Sequence, residues 1–155
     1  MRETSPVTST HAVRFLAAWL LEHETDNADV PDAVLAAAER TCQKLSTRLA
    51  KLVTVAGSQA LLARAIHLAA AEAPFLRGVR AGTITGPCLE NVRDGAREAT
   101  YQQTQAGLIA VVAHLIGLLA LFIGEDMTEH LVRDVWPDAP LGISGPDSAP
   151  QEDLS

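Results

Sequence analysis

Five histidines, two cysteines and one run of basic residues are the side chains best suited to chemistry, and none sits in a pattern that defines a reaction. His114 is the most suggestive. It lies midway along a charge-free stretch, on a helical face with Gly107, Val111, Gly117, Leu118 and Leu121. An imidazole there could ligate a metal or haem, or change protonation inside a core. With no second ligand in view, the expected role is a neutral core imidazole hydrogen-bonded to another helix. His67 is the only other histidine within a strongly apolar helical segment. If the two met in space, a ligand or metal site would follow. His130 lies four residues after Asp126 and shares its helical face, whereas His23 stands between Glu22 and Glu24, which point elsewhere. Two ligands do not define a metal site.

Cys42 and Cys88 occur in unlike contexts without CxxC spacing, so neither a disulfide framework nor a zinc site is indicated. Cys42 reads as a small core residue, and Cys88, beside Pro87 in a loop, as the thiol more open to chemistry. Arg40, Lys44, Arg48 and Lys51 form a basic ridge at helical spacing, suited to an acidic partner or a phosphate but equally to plain solvation. No GxSxG elbow, Gly-rich phosphate loop or Glu-x-x-His pair occurs. No catalytic activity is evident and no cofactor is indicated by motif.

The elements that must hold these residues are helical. From Ala106 to Gly124 no residue carries a formal charge, and Ala106, Ala110, Ala113, Gly117, Ala120 and Gly124 recur at alternating steps of four and three. That spacing keeps small side chains on one packing seam, where another backbone can approach closely. Large apolar residues fill the other faces, so the helix, taken as running from about 96 to 124, is expected to be buried in protein or in lipid. Nineteen residues rise about 28 Å, enough for a bilayer core. Against a span stand His114 at the midpoint and the apolar stripes of the other segments, which need a central partner.

Those segments run from about His11 to Glu24, from Pro31 to Ala56, from Gln59 to Ala73 and from Met127 to Trp136. The second carries a seam of Leu35, Ala38, Cys42, Leu45, Leu49, Leu52 and Ala56. Gly57 and Ser58 supply either a break or a kink, so whether 31–56 and 59–73 are continuous stays open. Phe75 to Pro87, with Gly78, Gly82, Gly86 and Pro87, reads as a Gly-rich loop or small hairpin. Residues 1–10 and the acidic tail 138–155 lack the apolar content to offset ordering entropy and are expected to be disordered, leaving one domain at 11–137.

Composition agrees with an all-α bundle of about five helices. Nearly half of the 155 residues are hydrophobic and few are aromatic; Ala and Leu dominate. The net charge of −7 argues against general nucleic-acid binding. Residues 1–10 show no signal-peptide pattern. Abundant Ala and Arg beside two lysines match the bias of GC-rich bacterial genomes. The sequence therefore points to a cytoplasmic interaction or regulatory module, expected to form a homo-oligomer or to bind a protein partner. The alternatives are a small-ligand, haem or metal sensor built around His114, and a membrane-anchored protein spanning 106–124.

Overall fold

The computed structural model describes residues 10–25, 31–82 and 88–140. The disorder expected at 1–10 and 138–155 lies outside them except at Thr10, which opens α1, and at 138–140, where the Ala139 N–H donates to the Trp136 carbonyl at 3.0 Å. The fold is an all-α bundle whose described elements are α1 (Thr10–Glu24), α2 (Pro31–Leu49), α3 (Val55–Ala70), a short 3-10 turn (Pro74–Gly78), β1 (Arg80–Ala81), β2 (Leu89–Glu90), α4 (Val92–Ala96), α5 (Tyr101–Ile123) and α6 (Glu125–Val135).

Helix α5 is the organising element. It packs against α1, α2, α3 and α6, and it buries Leu108, Val111, Val112, Leu115, Ile116 and Leu119 among others. Around it gather Leu16 and Leu20 of α1, Leu45 and Leu49 of α2, and Leu62 and Ile66 of α3. Each fully buried leucine or isoleucine contributes roughly 1.5–3 kcal/mol by leaving water, so one apolar rod can hold four amphipathic neighbours.

Several helix boundaries differ from the sequence expectation. The seam of α2 is buried from Leu35 through Ala38, Cys42 and Leu45 to Leu49, but the helix stops there, and Leu52 and Ala56 are exposed. The break falls earlier than Gly57 because Thr54 caps α3, its side chain accepting from the Gly57 N–H at 2.9 Å, so that a new helix opens at Val55. Helices α2 and α3 are therefore separate. The central helix does not begin at 96 either. It starts at Tyr101, after a reciprocal cap in which Thr100 accepts from the Gln103 N–H at 3.0 Å and the Gln103 side chain accepts from the Thr100 N–H at 2.9 Å. The preceding α4 is a separate short helix entered through Asn91 at φ 70°. Helix α6 opens at Glu125 rather than Met127, directly after Gly124 at φ 94°, a left-handed backbone that glycine adopts without strain.

Of the loop or small hairpin expected at 75–87, the window holds only one strand: β1 pairs antiparallel with β2, which lies beyond it, Arg80 opposite Glu90 and Ala81 opposite Leu89. Two strands of this length are marginal alone. Helices on either side anchor them. Glu39 of α2 accepts from the backbone N–H groups of Cys88 at 2.7 Å and Leu89 at 2.8 Å, and Gln59 of α3 donates to the Gly82 carbonyl at 2.8 Å.

The seam of small residues divides. Ala110, Ala113 and Ala120 are buried, Ala106 and Gly124 are exposed, and Gly117 is half-buried with open space on its missing side chain. Close approach is needed instead at Gly107, where a Cβ would stand 2.5 Å from Cε1 of Phe75, and at Gly95, where it would collide with the Phe75 carbonyl oxygen.

Candidate functional site

His114 is not a core imidazole. It sits on the flank of α5 with its side chain 28% exposed, and its Nε2 lies 2.7 Å from Oε2 of Glu72. A carboxylate only accepts, so the ring nitrogen facing it carries the proton. The second oxygen of Glu72 accepts from Nη2 of Arg14 at 2.7 Å. One carboxylate just past the end of α3 thus joins α1 to α5. Of the face that His114 shares, Gly107 and Val111 are buried, Gly117 and Leu118 are half-buried and Leu121 is exposed, so the face passes from core to solvent along α5, with His114 at the transition.

The hydrogen bond from His114 holds the Glu72 carboxyl below its ordinary value; partial burial works against this and Arg14 reinforces it. Arg14 and Glu72 also line a cleft of about 540 Å3 that is floored by Phe75 and Gly107 and bordered by Glu98 and Gln103. Its chemistry is that of a polar clamp beside an aromatic wall, able to orient a small polar molecule. His67 does not join it. It is exposed on α3 and lines a different groove, with Arg77 and Arg80.

The basic ridge is partly neutralised from within. Glu24, at the end of α1, is a buried carboxylate with its side chain 8% exposed. Lys44 Nζ donates to its Oε2 at 2.6 Å, Arg40 Nε to its Oε1 at 3.3 Å, and the indole Nε1 of buried Trp136 to its Oε2 at 2.8 Å. Arg40 also donates to the Glu24 backbone carbonyl. Burial pushes the Glu24 carboxyl up, but the donors from Lys44, Trp136 and Arg40 together outweigh it and hold the group below its ordinary value. Arg48 reaches Asp134 at 3.4 Å, while Lys51 is exposed. The ridge thus ties α2 to α1 and α6, and neighbouring carboxylates partly balance it. Helical spacing disclosed the four cations; that their counter-charges come from residue 24 and residue 134 is a matter of tertiary contact.

Cys88 is buried rather than open to chemistry, and burial pushes its thiol up to about 11. Cys42 is completely buried and its thiol is raised well above its ordinary value, first by desolvation and then by Cys88 and Glu39. Both are neutral thiols near pH 7, unsuited to nucleophilic work. His130 directs its Nδ1 toward the Asp126 backbone carbonyl at 2.9 Å, so this pair is engaged within α6. Among the described residues no group of three or more His, Cys, Asp or Glu side chains is placed to hold a metal ion.

The end of α5 is the feature that helical periodicity did not distinguish. Leu121 is 75% and Phe122 63% exposed, beside the open flank of Gly117. Among the described residues α5 is also the one helix long and apolar enough to cross a membrane, with 56% of its most apolar window buried inside the fold. The chain has no significant match among known protein families, curated proteins or solved structures.

Proposed function

We propose that this chain is a cytoplasmic helical interaction module, without catalytic activity of its own, that self-associates through the solvent-facing end of α5. The observation that carries this reading is the exposure of Leu121 and Phe122 on the most apolar helix of the fold. Adjacent large apolar side chains left in water mark a surface that gains by being covered. The open flank of Gly117 adds a position where a second helix can come close, since nothing lies within 4 Å of the site its Cβ would occupy. A two-fold dimer would bring two such ends together, because the same patch then serves both partners.

Sedimentation velocity tests it. The wild-type chain is expected to dimerise at micromolar concentration, and Leu121→Glu to be monomeric with an unchanged helical spectrum. Wild-type protein that stays monomeric refutes self-association, and protein recovered only with membranes refutes the cytoplasmic reading.

A further inference from the structure

We infer that the groove between α3, the 3-10 turn and β1 is a binding site for a small amphipathic anion, a molecule with an apolar tail and a carboxylate or phosphate head. The groove measures about 770 Å3, within the range of small-molecule sites. Its walls are apolar and short: Ala60, Ala63, Ile66 and Leu76 leave a trough that larger side chains on α3 would have filled. Its polar lining is made of Gln59, committed to the hairpin, and of three nitrogen-bearing side chains, His67, Arg77 and Arg80.

Charge decides the ligand. Acidic residues outnumber basic ones by 19 to 12 in the chain, and four arginines pair with them: Arg14 with Glu72, Arg40 with Glu24, Arg48 with Asp134 and Arg97 with Asp94. Among the described residues Arg77 and Arg80, like the solvent-facing Arg64 and Arg133, have no carboxylate partner, and no Asp or Glu lines this groove, so here the free cations meet an apolar trough. Three other clefts among the described residues each contain at least one carboxylate. Two unpaired guanidinium groups at an apolar trough present fork-shaped donors that match carboxylate or phosphate oxygens, while the alanine wall accepts a hydrocarbon chain. A purely polar anion would leave the trough wet, and a cation would be repelled.

Isothermal titration of the full chain with dodecanoate and with dodecyl phosphate, each below its micelle concentration, tests this and separates the two head groups. One-to-one saturable binding of either is expected. It should weaken about tenfold or more in Arg77→Ala/Arg80→Ala, and be lost in Ala63→Phe, which blocks the trough without touching charge. Ala63, Arg77 and Arg80 are all exposed, so these variants are expected to keep the wild-type helical spectrum. Leu121→Glu should bind as wild type, which keeps this site distinct from the proposed self-association face. Equal binding of dodecyltrimethylammonium, or unchanged dodecanoate binding in both groove variants, overturns the inference. So does binding to anionic-lipid vesicles with none to monomeric dodecanoate, which would assign the cations to a membrane surface.

Discussion

Replacing Glu24 with Ala removes the acceptor that joins three elements, and the cost can be worked from its partners. Trp136 is 2% exposed, so its indole N–H, now 2.8 Å from Oε2, would be left buried without a partner; that costs about 1–3 kcal/mol. Lys44 and Arg40 are half in solvent and can rehydrate, so each adds at most about 1 kcal/mol. The expected loss is about 3 kcal/mol, or a melting temperature lower by about 6–12 °C for a chain of this size. Urea titration followed by circular dichroism measures it. Glu24→Gln, whose amide oxygen still accepts from the indole, should lose about 1 kcal/mol. A double-mutant cycle with Trp136→Phe should return a coupling of about 1–2 kcal/mol. Acid adds a second readout. Because the folded state holds this carboxyl below its unfolded value of about 4.3, its contribution is complete above that pH and is lost as pH falls through the folded value. The gap between wild type and Glu24→Ala should therefore narrow on acidification below about pH 4. A loss under about 0.5 kcal/mol, or a gap that does not change with pH, would refute the view that this buried carboxylate clamps α1 to α2 and to the Trp136 segment.

The glycines of α5 should respond in opposite directions to alanine. Gly117→Ala meets nothing within 4 Å and should stabilise the monomer by about 1 kcal/mol through helix propensity, whereas Gly107→Ala strikes Phe75 and should destabilise by about 1–3 kcal/mol, both read from urea midpoints. Partial rescue of Gly107→Ala by Phe75→Leu would locate the clash. The two thiols should label slowly with a disulfide reagent in native protein and fast in denaturant. Their folded values lie above the unfolded one, so the stability they add holds below about pH 8.5 and is lost as pH rises toward about 11 for Cys88. Rapid native labelling of Cys88 would contradict its burial.

Much of the bundle was legible because its signals are local. The uncharged run after Ala106 made α5 the central helix, and the seam from Leu35 to Leu49 named the buried face of α2. Boundaries were harder. The cap at Thr100 and Gln103 is a short pattern beside a long apolar run, so periodicity extends the central helix back to about 96 although the chain starts it at Tyr101. The stop at Leu49 was missed because the heptad spacing continues through Leu52 and Ala56 although the backbone turns away.

The residues that could act were visible by type, and misplaced by environment. Periodicity puts His114 on a face with Gly117 and Leu121, but cannot say whether that face looks inward. No sequence signal marks Glu72 or Glu39, and Glu24 stands out only as a neighbour of His23, because a lone glutamate ordinarily faces water. Their roles arise from partners distant in the chain: 42 residues separate Glu72 from His114, and 112 separate Glu24 from Trp136.

What the amino-acid order settled by itself was helix type, the identity of the central rod and the balance of charge, because propensity, periodicity and composition act within a few residues of one another. Which face of α5 stays wet, which carboxylate finds which donor, and which arginines come to line the groove beside α3 were decided only when the chain closed on itself. Burial and ion pairing depend on groups brought together from remote parts of the chain.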